Sequence, residues 1–149
     1  MIFRIWSILK LLYLYLAYFA VGLDEEFYYI SKGNHLLDGG FFSAAAKAYK
    51  RVLKETQSPY VYSSLGYCYL NVGLYDKAIE NLEIAYSKKS TPEFAVGLIR
   101  AKYENGDYEE SKKLFQSIKK VDVPNTLPGL EEEIESLKEL LEKNPNQAR

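Results

Sequence analysis

Short apolar stretches, each bounded by glycine or proline, follow one another through the middle of this chain and predict six helices. The expected helices run over residues 25–38, 41–53, 60–71, 74–87, 93–104 and 107–119. Ser58-Pro59 and Thr91-Pro92 are typical helix starts, with a hydroxyl side chain as the N-cap and proline in the first turn. Gly39-Gly40 and Asn105-Gly106 indicate turns between neighbouring helices.

The same pattern returns every 33 residues. Three glycines lie at this spacing, and each is followed by an aromatic residue, then a small residue and then a bulky one. These positions are Gly40, Gly73 and Gly106; Phe42, Tyr75 and Tyr108; Ala45, Ala78 and Ser111; Tyr49, Leu82 and Phe115. Small residues at fixed places inside helical patterns indicate an array of helical repeats.

Two further glycines with the same spacing, Gly33 and Gly66, fall inside the predicted helices. A glycine within a helix costs roughly 1 kcal/mol relative to alanine, so we expect it to serve close packing. Antiparallel helices approach closely where small residues meet. The sequence therefore predicts that Gly66 faces Ala78 and that Gly33 faces Ala45.

These residues resemble the tetratricopeptide repeat, whose pattern places tryptophan, leucine, glycine and tyrosine on one helix and alanine and phenylalanine on the next. The middle repeat, residues 59–91, fits best: it has Tyr62, Leu65, Gly66, Tyr69, Ala78, Leu82 and Ala85 at the positions of that pattern. The first repeat, residues 26–58, has Lys32 where leucine is expected. The third, residues 92–124, has Ile99 in place of glycine. The resemblance implies an all-α superhelix of about three helix-turn-helix repeats within residues 24–124.

Residues 1–23 differ in composition from the repeats. Arg4 and Lys10 precede an apolar run, 11–23, and three acidic residues follow it. A positive start, an apolar run and a small-residue exit are typical of a secretory signal peptide. The segment is also long enough for an uncleaved membrane anchor. Both interpretations place the repeats outside the cytoplasmic membrane.

A third interpretation of residues 1–23 is a soluble apolar helix that packs on the first repeat as a lid, in a cytoplasmic protein. Tyr13, Tyr15 and Tyr18 lie in the middle of the apolar run, where a bilayer-spanning helix rarely carries tyrosine. These three residues favour the lid.

The C-terminal part, residues 125–149, is expected to form a capping helix and a frayed tail after a proline-containing loop at 121–129. Its apolar residues recur at intervals of four, three and four positions: Leu130, Ile134, Leu137 and Leu141. The other faces carry mainly glutamate and lysine. One apolar face for the last repeat and charged faces for water are what a terminal helix of a repeat array needs.

Composition and motifs exclude several classes of function. The chain has 149 residues and a net charge of −1, so no basic excess indicates nucleic-acid binding. There is no phosphate-binding loop, dinucleotide fingerprint or zinc-protease motif. His35 and Cys68 are the only histidine and cysteine, and they occupy equivalent places in successive repeats. We therefore expect packing roles for both, no cofactor, no metal and no enzymatic activity.

The resemblance also implies a binding surface, because the leading helices of tetratricopeptide repeats line a concave groove. Carried over by register, the groove residues are Asn34, Asp38, Ser63, Ser64, Tyr67, Asn71, Val96, Gly97, Arg100 and Glu104. Small residues such as Gly97 are expected to leave room for a partner, and Arg100 can pair with a carboxylate. A subset of the family grips the C-terminal carboxylates of chaperones. Ile30 and Glu93 stand where that clamp needs lysines, so chaperone-tail binding is not expected.

The sequence thus predicts a non-enzymatic interaction module that binds a peptide or a partner helix in its concave groove, outside the cytoplasmic membrane. The alternative is a membrane-anchored structural subunit of a larger complex. In that case the apolar segment 1–23 or the convex face makes the contact. The expected partner is a protein or peptide in either case, with a membrane contact through residues 1–23.

Overall fold

The computed structural model describes residues 2–22, 24–118 and 129–142. These residues form eight α-helices and no strand: α1 (Ile2–Val21), α2 (Glu25–Asp38), α3 (Phe42–Val52), α4 (Pro59–Asn71), α5 (Tyr75–Lys88), α6 (Pro92–Asn105), α7 (Tyr108–Ile118) and α8 (Leu130–Glu142). The expected all-α fold is confirmed, and both ends of all six predicted repeat helices lie within one residue of the observed ends.

The helix starts follow the sequence pattern, but the capping bonds do so only in part. The Asp24 carboxylate accepts a hydrogen bond of 3.1 Å from the backbone N–H of Phe27 and caps α2. Ser58 and Thr91 stand at the N-cap positions of α4 and α6, yet neither side chain makes a capping bond. The predicted positions of both N-cap residues are therefore confirmed, but their hydroxyl groups do not supply capping bonds. Each of these residues precedes a proline, which restricts it to extended backbone and supplies no N–H of its own.

The helices form three antiparallel pairs, α2 with α3, α4 with α5 and α6 with α7, and each pair packs on the next. The turn within each pair contains a glycine with positive φ: Gly40 (74°), Gly73 (76°) and Gly106 (93°). A residue with a Cβ atom is strained in this conformation, which explains why glycine recurs there with the repeat period.

The contact within the second pair confirms the expected close approach. A Cβ atom at Gly66 would lie 2.5 Å from Cγ of Leu82 and 3.3 Å from the carbonyl oxygen of Ala78. In the first pair, a Cβ atom at Gly33 would lie 2.6–2.9 Å from ring atoms of Tyr49, and these atoms, not those of Ala45, are the nearest. The glycine therefore makes room for the bulky residue of the facing helix, which occupies the same repeat position in both pairs.

The third pair is held differently at the same position. Ile99 replaces the glycine and is fully buried, and Ser111 replaces the facing alanine. The Ser111 hydroxyl donates a hydrogen bond of 2.8 Å to the carbonyl oxygen of Ile99. A buried hydroxyl is costly without a partner, and here the opposite helix supplies one.

Helices α1 and α8 cover the two ends of the array. Helix α8 packs on α6 and α7, with Leu130 and Leu137 buried beside Val96, Ile99 and Phe115. This is the capping role expected from its apolar stripe.

Helix α1 packs on α2 in the manner of the predicted lid, with Leu14 buried and the ring of Tyr18 against that of Tyr28. Within the described residues, we find no helix with the length and apolar character required to span a bilayer. The expected loop at 121–128 and the expected frayed tail at 144–149 lie outside the described residues.

Candidate partner-binding groove

Two rows of side chains line one face of the leading helices α2, α4 and α6. The residues of each row are 33 positions apart, so they occupy equivalent places on successive helices: Asn34, Tyr67 and Arg100 in the first row, and Asp38, Asn71 and Glu104 in the second. The second row is exposed throughout, and in the first row Asn34 is exposed while the other two are partly buried. We call the surface formed by these six residues the groove. The resemblance predicted all six.

The remaining four predicted residues contribute much less surface. Ser63, Val96 and Gly97 are buried, and Ser64 is partly buried. Val96 packs among the residues that hold α8. A partner in the groove therefore cannot contact the side chains of Ser63 and Val96 without displacing part of the core. Whether a partner uses the exposed positions stays a prediction.

The space at Gly97 is filled by the protein itself. A Cβ atom there would lie 2.9 Å from both Cζ and the hydroxyl oxygen of Tyr67. The expectation that Gly97 leaves room for an approaching partner was therefore wrong, because the ring of Tyr67 lies over this glycine. The glycine instead allows the hydroxyl end of the Tyr67 ring to pack closely against α6, which fixes the ring in the groove.

A pocket of about 270 Å³ lies in the groove between α4 and α6, lined by Tyr67, Leu70, Asn71, Tyr75, Arg100 and Glu104. It is smaller and more polar than a pocket of about 480 Å³ on the solvent side of α5. The pocket in the groove therefore brings together four of the six groove residues. Leu70 and Tyr75 were missed by the sequence reasoning. The register carried over only selected positions of the leading helices, which did not include Leu70 of α4, and Tyr75 belongs to α5.

Glu133 of α8 also reaches the groove, and no sequence argument placed it there. Its Oε1 lies 3.7 Å from Nη1 of Arg100, and both side chains are about one-third exposed (31% and 37%). Burial raises the pKa of the Tyr67 hydroxyl well above its ordinary value. The Glu133 carboxylate acts in the same direction, because it disfavours a second negative charge, and Arg100 acts against it. Tyr67 therefore stays a neutral hydrogen-bonding group.

At the α2 end, the groove residue Asn34 is tied to the core. Its Oδ1 accepts a hydrogen bond of 2.7 Å from the Tyr49 hydroxyl. In the second row, Nδ2 of Asn71 donates a hydrogen bond of 2.8 Å to the carbonyl oxygen of Tyr67. Both amides are thus oriented by the protein itself, which leaves each with further hydrogen-bonding capacity for a ligand.

The one cysteine is unsuited to nucleophilic chemistry. Cys68 is fully buried, and burial raises the pKa of its thiol to about 12, so the thiolate is scarce at neutral pH. In the described part of the chain, no group of three or more histidine, cysteine or acidic side chains is placed to hold a metal ion.

Part of the chain matches a known protein family in sequence. Residues 30–93, which cover most of the first repeat and all of the second, match the tetratricopeptide repeat family. Over these residues the chain is similar to tetratricopeptide repeats. The third repeat lies outside the matched range apart from its first two residues, and its helix pair follows the same fold with Ile99 and Ser111 in place of the glycine and alanine of the pattern. No curated protein matches the chain in sequence.

Solved structures share the fold of these repeats. The tetratricopeptide repeat domain of Sgt2 from Aspergillus fumigatus is 20% identical, with a TM-score of 0.69 and 85% of each chain covered. The second such domain of human RPAP3, solved in complex with the HSP70 peptide SGPTIEEVD, is 16% identical, with a TM-score of 0.64 over 76% of this chain and 95% of that one. Yeast Tom70 is 21% identical, with a TM-score of 0.61 over 80% of this chain and 26% of its own.

Proposed function

We propose that the chain is a non-enzymatic protein-interaction module that binds an extended peptide or a partner helix in the groove. The observation that carries this proposal is the pocket between α4 and α6, in which an aromatic ring, an amide, a guanidinium and a carboxylate converge. The RPAP3 domain, which has the same fold, holds a peptide. This likeness supports a peptide as the class of ligand here.

The chemistry of the pocket suits a peptide with an acidic group. Arg100 offers charge-assisted hydrogen bonds to a carboxylate, the Tyr67 ring offers a flat amphipathic contact, and Asn71 can pair with a peptide bond. An HSP70-type tail is not the ligand we propose. Ile30 lacks the charge that the chaperone-binding clamp requires, and Glu93 carries the opposite charge.

Co-purification with a double variant, Asn71→Ala with Arg100→Ala, tests the groove. The matched control is Asn81→Ala with Lys112→Ala. Asn81 lies on α5 and bonds to the carbonyl oxygen of Lys77 at 2.8 Å, just as Asn71 bonds to that of Tyr67. We expect the groove variant to lose partners that the parent and the control retain, with equal helix content by circular dichroism. Retention of every partner by the groove variant would contradict the proposal.

We further propose that residues 1–23 direct the chain out of the cytoplasm, so that the repeats work outside the cytoplasmic membrane. Support comes from the sequence: Arg4 and Lys10 near the start, the apolar run and the acidic residues after it. A phosphatase that is active only outside the cytoplasm, fused after residue 30, tests this location. An inactive fusion together with intact protein in the cytosol would contradict it and favour the lid.

The alternative function, an anchored structural subunit, is favoured by one observation. Most of the large apolar side chains that the described residues expose belong to α1, and only five belong to the rest of the chain: Phe27, Tyr60, Val72, Leu74 and Tyr108. If the groove variant keeps its partners while removal of residues 1–22 abolishes them, the tethering role replaces the groove as the better explanation.

A further inference from the structure

Helix α1 has two apolar faces, and α2 covers only one of them. The covered face consists of Ser7, Leu11, Leu14 and Tyr18, which are spaced by four, three and four residues. The opposite face remains in solvent, with large side chains that are between 50% and 76% exposed: Ile5, Trp6, Ile8, Leu9, Leu12, Tyr13, Tyr15, Leu16 and Phe19. We call this the outer face of α1.

The outer face is wider than a single helix can cover. At about 100° per residue, its side chains from Tyr15 round to Trp6 span roughly 180° of the helix. A helix that packs on one neighbour buries a stripe of about 100°. The arc contains no charged residue, so a folded protein partner with an ordinary polar rim would leave part of it exposed. A continuous apolar medium would cover all of it.

The charged residues in the sequence of α1 have one sign. Residues 2–21 contain Arg4 and Lys10 and no acidic residue. Lys10 is exposed and lies about 40° beyond Trp6 on the helix, at the edge of the arc. Long basic side chains with apolar stems, and tryptophan and tyrosine beside them, are enriched at the boundary between lipid tails and headgroups.

We propose that the outer face of α1 docks on the surface of a lipid bilayer with anionic headgroups, with the helix lying in the plane of the membrane. This inference does not rest on the groove, which is formed by other residues. It is the alternative to export directed by residues 1–23, because a cleaved signal peptide would remove α1 and a spanning anchor would not lie flat. An interfacial helix needs a polar side as well as an apolar one. Here the repeats packed behind α1 supply that polar side.

The packing on α2 explains the orientation. The covered face runs from Ser7 to Tyr18, so α2 lies along most of the length of α1. A helix that crossed the bilayer would have to give up this contact, because Asp24 caps α2 and the helix itself carries Glu25, Glu26 and Lys32. Lying flat keeps the contact and still removes the outer face from water.

Trp6 provides the test, since it is the only tryptophan of the chain and lies in the outer face. The full chain is mixed with vesicles of phosphatidylcholine alone, or of phosphatidylcholine with phosphatidylserine. With the anionic vesicles we expect flotation with the lipid and a shift of Trp6 emission to shorter wavelength. In the control, Trp6→Phe with Tyr60→Trp, the probe sits at an exposed residue of α4 and the emission should not shift.

Two pairs of substitutions separate the outer face from a general effect of charge. Leu9→Glu with Tyr13→Glu places two carboxylates in the arc and should lower vesicle affinity by about tenfold or more. Val72→Glu with Leu74→Glu adds the same charge at exposed apolar residues between α4 and α5 and should leave affinity nearly unchanged. Equal loss in both pairs would overturn the proposal.

The depth of the helix distinguishes docking from spanning. In Trp6→Phe with Tyr13→Trp, the probe lies near the middle of α1 and only about 20° from Trp6 around the helix. A helix in the plane of the membrane gives both probes about the same shallow depth with lipids brominated at different positions along the tail. A probe at position 13 that lies much deeper than Trp6 would show a spanning helix and overturn the proposal.

Two further results would also overturn it. Native membrane-bound protein that begins after residue 20 would show that α1 is removed. A lipid-independent dimer that Leu9→Glu with Tyr13→Glu converts to a monomer would show that a second copy covers the outer face.

Discussion

The second and third repeats meet the same packing requirement by different means. In the second, Gly66 has no side chain, so Leu82 and the backbone at Ala78 come into direct contact with it. In the third, the isoleucine at the equivalent position is fully buried, and a hydrogen bond from Ser111 joins the two helices. One interface depends on shape alone, and the other on shape and a buried polar contact.

The difference shows that a departure from the repeat pattern need not leave the two helices of a repeat without close contact. Ile99 and Ser111 depart together and contact each other, because the Ser111 hydroxyl bonds to the carbonyl oxygen of Ile99. The bulky residue varies with them, as Tyr49, Leu82 and Phe115 in the three repeats, and all three are buried. The repeats thus vary as sets of contacting residues.

The largest expected effect comes from filling the glycine position. Gly66→Leu should lower the free energy of unfolding by about 3 kcal/mol, because even a Cβ atom there would overlap Leu82. Ile99→Leu is the matched control, since the equivalent position already holds a side chain of that volume, and it should cost less than about 1.5 kcal/mol. Urea denaturation measures both. Equal losses would mean that the two interfaces do not differ as described.

A pH effect distinguishes the first repeat from the other two, because only its bulky residue can ionise. Burial raises the pKa of Tyr49 to about 12, above the ordinary value of 10.0. The folded protein therefore binds more protons than the unfolded chain between these values. This contribution to stability is complete below pH 10 and should fall by about 1–2 kcal/mol as the pH rises to 12. Tyr49→Phe should remove this part of the fall, whereas Tyr60→Phe, at an exposed residue, should leave it. The parts that come from Tyr67 and Cys68, whose pKa burial also raises, should remain in both variants.

The sequence predicted most of this fold because the repeat period is carried by local features. Turn glycines such as Gly73 and helix starts such as Pro59 act within a few residues, so their spacing defines the helices directly. Register then placed the rows of the groove, since equivalent positions on stacked helices share a face.

The failures concern contacts between helices that the period does not specify. Nothing in the pattern shows that the Tyr67 ring would lie over Gly97, because two residues from different helices meet there. Glu133 belongs to α8, which has no place in the repeat, so its contact with Arg100 depends on how the capping helix docks. The sequence shows that α1 is an apolar run, but it does not show which side of the helix packs on α2.

A smaller effect is expected from the bridging hydroxyl of the third repeat. Ser111→Ala removes the hydrogen bond to the Ile99 carbonyl oxygen and should lower the free energy of unfolding by about 1 kcal/mol. Ala78→Ser, at the equivalent and fully buried position of the second repeat, tests whether a hydroxyl is useful there too. We expect it to destabilise, because Ala78 is fully buried beside the close contact at Gly66, which leaves little room for the added oxygen. A stabilising Ala78→Ser would show that the two interfaces are interchangeable.

The smallest effect on stability is expected where the third repeat meets α8. Tyr67 occupies in the second repeat the position that Arg100 occupies in the third, so only the third has an ion pair in the groove. Glu133→Gln removes that pair, and because its atoms are 3.7 Å apart and partly exposed, the cost should stay below about 0.5 kcal/mol.

Binding should respond to Glu133→Gln more than folding does. Arg100 is then free of its internal carboxylate, so the affinity for an acidic peptide ligand identified by co-purification should rise by about threefold at low salt. The gain in affinity should shrink in about 0.5 M salt, because exposed charges are then screened over a few ångströms. Isothermal titration at two salt concentrations measures it, with Glu135→Gln on the same helix as the control. If Glu133→Gln instead weakens binding as much as Arg100→Ala, the capping helix itself contacts the ligand. In that case the groove extends beyond the three repeats.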